Sequence, residues 1–183
     1  MSATTANLSN TTTRTESRPV AHVTALSAVL GVTRLAMGWI FLWPFLDKMF
    51  GLSHETASAD AWIHGGSPTS GFLGHATSGP LSSFYQSIAG YAWADWLFML
   101  GLLGIGLGLI LGVAGRLVAV AGGMLMVLMW SAVLPPANNP FLDEHVIYAL
   151  VLAVLALSHA GGTFGFASTW EKLGTVGRYA ILR

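Results

Sequence analysis

The sequence predicts an all-α integral membrane protein, a four-helix bundle with both termini in the cytoplasm. Three observations predict this fold class. Of 183 residues, 54% are hydrophobic and only 9% are charged, whereas about 25% of residues are charged in an average soluble domain. Four apolar stretches each approach the roughly 20 residues that a membrane-crossing helix needs. The Lys and Arg residues outside these stretches fall mainly on one side of that topology, which sets its orientation.

Composition excludes several functional classes. The eight Lys and Arg residues balance the eight Asp and Glu residues, so nothing in the charge predicts a nucleic-acid partner. The chain has no Cys, which excludes a disulfide framework, a thiolate nucleophile and a Cys-held iron–sulfur cluster. Redox chemistry would therefore need a diffusible cofactor or a partner subunit.

The first segment, residues 1–22, is predicted to be a flexible cytoplasmic tail. It is rich in Thr, Ser, Asn and Ala and lacks the apolar content that offsets the entropy lost on ordering. It also lacks the charged start, apolar core and cleavage site of a secretory signal. The first apolar stretch is therefore expected to stay in the protein as a membrane span.

Residues 23–170 are predicted to form the transmembrane domain, and residues 171–183 a second cytoplasmic tail. The spans are expected at about 25–48, 95–114, 117–134 and 145–166. The second and third spans form a tight hairpin around Arg116, and the prolines that follow at 135, 136 and 140 break the helix before the fourth span.

A long polar insertion, residues 51–91, separates the first two spans, and a loop of this length is usually functional or partly folded. The segment that begins at Pro80 is expected to form a short interfacial helix, because proline suits a first helical position and the aromatic residues suit the headgroup layer. His54, His64 and His75 lack the spacing of a helical ligand pair, so no metal site is predicted.

The positions of the cations predict the orientation, because cytoplasmic segments carry an excess of Lys and Arg. Six cations fall in the tails and the second loop: Arg14, Arg18, Arg116, Lys172, Arg178 and Arg183. Lys48 alone falls in the first or third loop. The long loop and residues 135–144 are therefore predicted to lie outside the cytoplasm, as in a multi-pass protein of a bacterial or archaeal inner membrane.

Arg34 is the most informative residue of the first span, because a charged side chain within a span is costly and generally faces the bundle interior or snorkels to an interface. Lys48 follows on nearly the same helical face, so the two cations are candidates for the ends of one internal polar path. The simpler interpretation is that Asp47 and Lys48 end the span, with Lys48 paired to Asp47 or Glu144.

A second polar cluster, Asp143, Glu144 and His145, opens the fourth span. One interpretation is that the carboxylates only cap this helix, where they complement its dipole. The topology, however, places the cluster beside Asp47 and Lys48. A His with two carboxylates and a nearby cation supplies proton carriers and an anion contact. We therefore predict catalytic roles for His145, Glu144, Asp143 and Asp47.

The predicted binding residues for a quinone or other substrate are Arg34, Lys48, Trp43 and Trp130. Lys48 would attract an anion or donate a hydrogen bond to a quinone carbonyl. Trp43 and Trp130 lie near the outer ends of their spans, where they either anchor the helices in the interface or flank a planar ring.

Three segments carry a family resemblance. They are RLAMGWIFLWPFLDK at 34–48, GLGLILGVAGR at 106–116 and NPFLDEHVIYAL at 139–150. In this order they resemble the first helix, the glycine-rich helix end with its basic turn, and the opening of the last helix in the DoxX/DoxD family of small bacterial and archaeal membrane proteins. The second helix departs from the pattern, because many DoxX proteins have an acidic residue within it and this chain has Asp95 only at its start.

The resemblance implies a membrane subunit that passes electrons from a sulfur compound to quinone, a diffusible acceptor, with a smaller partner subunit. The long first loop is similar to that of the DoxD branch, which includes the membrane subunit of thiosulfate:quinone oxidoreductase. The alternative is a non-catalytic accessory subunit of a larger respiratory complex. In that case the glycine ridge Gly104, Gly108 and Gly112 would serve as a contact. Beyond membrane lipid, a homo-oligomer is a further candidate partner.

Overall fold

The computed structural model describes residues 24–173, 176 and 179–182. They form six α-helices: α1 (Ala25–Phe50), α2 (Ser82–Ile88), α3 (Ala92–Leu111), α4 (Gly115–Ala132), α5 (Glu144–Leu157) and α6 (Ala167–Trp170). This part of the chain has no strand, only an isolated bridge between Ser78 and Val133, so its all-α prediction is confirmed. The predicted tail 1–22 lies outside the described residues, and so do Arg178 and Arg183.

Three helices are long and apolar enough to cross a membrane: α1, α3 and α4, with 26, 20 and 18 residues. Their outer surfaces carry large apolar side chains, such as Leu97 of α3 and Met124 of α4, that are more than half exposed. Such surfaces are unfavourable in water and are typical of helices that contact lipid. The prediction of a membrane protein in contact with lipid is confirmed at this level.

The fourth predicted span, 145–166, is not one continuous helix. The helix α5 ends at Leu157, and its 14 residues extend for only about 21 Å. The chain then turns at His159, which has a φ of 52°, and runs through a short 3-10 helix, Ala160–Gly162. It passes so close to the end of α3 that a Cβ on Gly161 would lie 2.5 Å from the carbonyl oxygen of Gly112. This close approach requires glycine at position 161.

The hairpin between α3 and α4 lies a few residues earlier than predicted, because Gly112 ends α3. Gly112 has a φ of 70°, and its N–H donates to the Leu109 carbonyl at 3.1 Å. The Val113 N–H donates to the Gly108 carbonyl at 3.0 Å. This pair of bonds is a Schellman motif, which satisfies two of the carbonyls left open at a helix end.

Glycines mark the close helix contacts. The helix α1 packs on α3 where Gly38 faces Gly106, and a Cβ on Gly106 would lie 2.9 Å from the Leu42 nitrogen. The helix α4 packs on α5 where Gly122 receives the Leu152 side chain. Gly104, which belongs to the predicted glycine ridge, makes no such contact, because a Cβ at this position would meet no atom within 4 Å. Small residues therefore position α1 against α3 and α4 against α5.

The long insertion is partly folded. The short helix expected after Pro80 is present as α2, which follows a turn of 3-10 helix, Gly79–Leu81. Earlier in the insertion, the Trp62 ring lies edge-on to the Trp96 ring of α3, with 4.7 Å between their centroids. The insertion is therefore packed against the helices rather than extended away from them.

We predict that Gly106→Ala lowers the free energy of unfolding, because the added methyl group would press on the α1 backbone at Leu42. Overpacking of this kind costs about 1–3 kcal/mol. The matched control is Gly104→Ala in the same helix, where a Cβ meets no atom within 4 Å. Thermal unfolding in detergent should show a lower midpoint for Gly106→Ala only, and equal midpoints would contradict the α1–α3 contact.

Candidate functional site

The Arg34 side chain is buried, with 2% exposure, and joins three parts of the chain. Its Nη1 donates to the carbonyl oxygen of Leu109. The same Nη1 donates to the carbonyl oxygen of Ile110 at 2.9 Å. Its Nη2 donates to the carbonyl oxygens of Thr163 at 3.2 Å and Phe164 at 3.0 Å. Arg34 therefore ties α1 to the end of α3 and to the segment that follows α5.

These bonds help to satisfy the carbonyl groups at the end of α3. Arg34 donates to the carbonyls of Leu109 and Ile110, and the Phe166 N–H donates to the Leu111 carbonyl at 2.8 Å. A cation at a helix C-terminus also interacts favourably with the helix dipole. Four of the five N–H donors of a guanidinium are thereby used on backbone carbonyls, and the fifth, Nε, has no partner among the described residues. The geometry is that of a structural clamp, and Arg34 does not snorkel.

Asp47 is equally buried and holds the turn that follows α1. Its Oδ1 accepts the His54 N–H at 3.2 Å, and its Oδ2 accepts the N–H groups of Glu55 at 3.0 Å and Thr56 at 2.9 Å. Its backbone carbonyl accepts the Gly51 N–H at 2.8 Å. Both carboxylate oxygens of Asp47 and its backbone carbonyl therefore hold this turn in place.

Lys48 forms an ion pair with Glu55, with 3.4 Å between Nζ and Oε2. The expected alternatives, Asp47 and Glu144, are not its partners in the structure. Because the Glu55 side chain is 76% exposed, water screens this pair, and such pairs contribute little to stability.

Asp143 caps α5. Its Oδ1 accepts the N–H groups of His145 at 3.0 Å and Val146 at 3.3 Å, while its Oδ2 lies 2.8 Å from the His145 Nδ1. Glu144 is exposed. One carboxylate oxygen or ring nitrogen from each of the three residues lies within 4.8 Å of the others. Neighbouring residues at the start of a capped helix can lie this close together without a metal. The capping interpretation thus describes the contacts of Asp143.

The two predicted ring-binding tryptophans have separate neighbours. The Trp43 ring lies edge-on to the His54 ring at a centroid distance of 4.9 Å. The Trp130 Nε1 donates to the Phe141 carbonyl at 3.0 Å, which ties the end of α4 to the segment before α5. Among the residues described by the structure, no ring contact joins Trp43 to Trp130.

The predicted site residues therefore form two separate groups and one distant clamp. Within residues 24–173, no hydrogen bond or ion pair links the group around Asp47 and Lys48 to the group around Asp143 and His145. Arg34 lies fourteen residues before Lys48 on α1, which is about 21 Å along the helix axis. Catalysis by these residues stays a prediction.

A large apolar pocket lies elsewhere, between α2, α3 and α4. Its volume is about 490 Å³, which is within the usual range of ligand sites, about 300–1,000 Å³. Aromatic side chains line it from the insertion, α2 and α3: Phe72, Phe84, Tyr85, Trp93 and Phe98. On α3 it extends down to Ile105, and Ala121 and Met124 are among the residues that α4 contributes. We call this space the roofed pocket and residues 67–88, which cover it, the roof.

A pair of hydroxyl groups ties the roof to α4. The Tyr85 Oη of α2 lies 2.6 Å from the Ser131 Oγ, so one of these hydroxyls donates to the other. The second hydroxyl is left to donate to the Leu128 carbonyl oxygen, which lies 3.1 Å from the Tyr85 Oη and 2.9 Å from the Ser131 Oγ. These contacts hold α2 against the last turn of α4.

A buried carboxylate ties the roof to α3. The Asp95 Oδ1 accepts the Ser67 hydroxyl at 2.9 Å, the Thr69 N–H at 2.9 Å and the Thr69 hydroxyl at 2.6 Å. The Thr69 Oγ1 also accepts the Gly90 N–H at 3.2 Å. Asp95 therefore fixes the other side of the roof to the first turn of α3.

The side of the roofed pocket between α3 and α4 faces away from the protein. Trp93 and Leu97 of α3 and Met124 and Leu128 of α4 line it, and each is more than half exposed. The helices α3 and α4 have the length and composition of membrane spans, and a mouth of this apolar character between them is compatible with a lipid environment.

The sequence interpretation missed the roofed pocket. Three signals were present: the aromatic residues of the insertion, Asp95 at the start of α3, and Gly101, which leaves room inside the pocket wall. None of them points to a cavity alone, because the pocket depends on contacts between residues far apart in the chain, such as Tyr85 with Ser131.

No family model matches this chain, and no curated protein or solved structure matches it either. The resemblance to the DoxX/DoxD family stays a prediction that rests on the three quoted segments. Function must therefore be argued from the geometry of the chain itself.

We predict that Arg34→Met strongly destabilises the protein, because it removes the side-chain donor to four backbone carbonyls. The Leu109 carbonyl keeps its bond from the Gly112 N–H, and each of the other carbonyls that is left without a donor costs about 1–3 kcal/mol. Thermal unfolding in detergent should show a large drop in the midpoint, and limited proteolysis should cut faster within residues 158–166. Lys48→Met, in the same helix, is the control and should change stability by less than about 1 kcal/mol. Similar losses in both variants would contradict the clamp.

We predict that Asp47→Asn destabilises the turn after α1, because an amide offers one acceptor oxygen where three N–H groups are now bound. Glu55→Gln, which alters only the exposed ion pair, is the control. Hydrogen exchange should show faster exchange of the amides at 54–56 in Asp47→Asn alone. A variant that kept this protection but lost turnover would instead support the predicted catalytic role of Asp47.

Proposed function

We propose that this protein is the membrane subunit of a quinone-linked oxidoreductase and that the roofed pocket receives the quinone from the bilayer. The observation that carries the proposal is the pocket itself. Its volume of about 490 Å³ is that of a ligand site, its walls are almost wholly apolar, and its mouth faces lipid. Quinone is the electron acceptor that is dissolved in the membrane, so a site of this kind suits it.

The electrons are proposed to come from a partner subunit. The chain has no Cys, so it cannot hold an iron–sulfur cluster through thiolates. Reduction of a quinone to a quinol takes up two electrons and two protons. In agreement with the resemblance to the DoxD branch, we propose that oxidation of a sulfur compound such as thiosulfate releases the two electrons on the partner and that the two protons come from the aqueous phase.

We further propose that four helices cross the membrane, with both termini in the cytoplasm and the roof on the outer side of a bacterial or archaeal inner membrane. The excess of cations in the tails and the second loop supports this orientation. The short helix α5 is compatible with it, because irregular backbone is tolerated at membrane depth where its polar groups find partners within the protein. The carbonyls of Thr163 and Phe164 are satisfied there by Arg34.

Two glycines of α3 provide the test. A Cβ on Gly101 or on Gly104 meets no atom within 4 Å, so a side chain can be added at either position without a clash at its first carbon. Only Gly101 lines the roofed pocket. We predict that Gly101→Leu fills the pocket and lowers quinone affinity at least about tenfold, the ratio that corresponds to 1.4 kcal/mol.

The measurement is the quinone content of protein purified gently from the native membrane, together with donor-dependent quinone reduction by the co-purified complex. Gly101→Leu should lose both, and Gly104→Leu should resemble the unsubstituted protein. Equal quinone content and turnover in the two variants would refute a quinone site in the roofed pocket.

The second candidate is a non-catalytic accessory subunit of a larger respiratory complex. The specific observation that favours it is that Arg34, Asp47 and Asp143 make complete structural contacts. This candidate predicts co-purification with cytochromes or dehydrogenases, no bound quinone, and unchanged activity of the complex in Gly101→Leu. The experiment above therefore separates the two functions.

A further inference from the structure

We infer that the roofed pocket binds the isoprenoid tail of the quinone and leaves the quinone ring at its mouth, beside Trp93. This inference rests on the proposed function, because it states which part of the ligand the pocket takes. The ligand class that it assigns to the pocket, an isoprenoid chain, can be tested by binding alone, without any redox reaction.

The polar atoms of the wall argue against a ring deep in the pocket. The hydroxyl of Thr69 already donates to Asp95, and the hydroxyl of Tyr85 is paired with Ser131 and Leu128. The two carbonyl groups of a quinone ring would thus lie in an apolar space without free donors. Burial of polar groups without hydrogen bonds is unfavourable, whereas a hydrocarbon chain has no such requirement.

Trp93 supplies what the ring needs at the mouth. It lines the roof end of the pocket and is 56% exposed. Its indole N–H makes no hydrogen bond within the part of the chain that the structure describes. Tryptophan with an apolar body and one donor is typical of the membrane interface. A ring carbonyl beside Trp93 would therefore find a donor while the tail continues into the pocket.

The shape of the pocket fits a chain that lies along the helices. On α3 its wall runs from Trp93 to Ile105, which is about 18 Å along the helix axis. On α4 the wall runs from Ala121 to Ala132, a distance of about 16 Å. A lipid tail in a bilayer lies in the same general direction, so it can enter sideways without turning.

The aromatic wall explains why the tail is isoprenoid rather than a saturated acyl chain. Lipid tails are as apolar as the pocket, so moving a chain from the bilayer into the pocket gains nothing from the hydrophobic effect. Selectivity must come from close packing. The ring-lined wall offers flat faces on which methyl branches and flat double bonds can pack, and a straight saturated chain has neither group.

The test uses purified full-length protein in phosphatidylcholine nanodiscs with four probes. They are a benzoquinone with an isoprenoid tail, the same ring with no tail, the same ring with a straight decyl tail, and an isoprenoid hydrocarbon without a ring. We expect the isoprenoid quinone to bind at least tenfold more tightly than the other two quinones, and the isoprenoid hydrocarbon to compete with it.

Three variants locate the parts of the ligand. Gly101→Leu should abolish the advantage of the isoprenoid tail, and Gly104→Leu should preserve it. Trp93→Phe should weaken binding of the isoprenoid quinone severalfold more than binding of the isoprenoid hydrocarbon, because only the ring can use the indole N–H.

The outcomes separate this inference from the proposed function. Equal affinity of the three quinones, or no competition by the hydrocarbon, would overturn the tail site even if the complex reduces quinone. Tail-dependent binding that Gly101→Leu removes supports the tail site. If the native complex then reduces no quinone, the proposed function fails and the isoprenoid site remains.

Discussion

The fold depends on one buried cation. Arg34 donates to two carbonyls at the end of α3 and to two more in the segment after α5, so three separate parts of the chain meet at one side chain. Buried carbonyls are costly if they are left without a donor. The positive charge is balanced by the carbonyl oxygens and by the negative end of the α3 dipole. This clamp also satisfies two carbonyls of the irregular segment that follows α5.

The same use of charge recurs at the other buried ionic groups of the described chain. Asp47 accepts three N–H groups in the turn after α1, and Asp95 fixes the roof at the start of α3. The clamp and the two carboxylates thus fix where helices begin or end. Because these polar contacts lie near the ends of α1 and α3, the facing surfaces of α3 and α4 stay apolar, and the roofed pocket forms between them.

Hydropathy predicted α1, α3 and α4 to within a few residues, because the bilayer sets the length of an apolar stretch. It failed after Leu157, where α5 ends and the chain turns so that Gly161 packs against Gly112, a contact between distant residues. The candidate site was less predictable still. A buried Asp47 that binds backbone N–H groups and a catalytic Asp47 look the same in a sequence, because the difference is only in which donors the fold brings to the carboxylate.

An ionisable residue within a membrane span is by default a candidate for function, and that reasoning singled out Arg34. Here it identifies a residue on which folding depends, because a charge within a span is retained only when its partners are fixed. The roofed pocket has the opposite character, since its mouth side chains, such as Leu97 and Met124, contact lipid and need no polar partner. A protein that binds a molecule dissolved in lipid would therefore be recognised by the shape of a cavity and by the positions of glycines such as Gly101, rather than by charged residues.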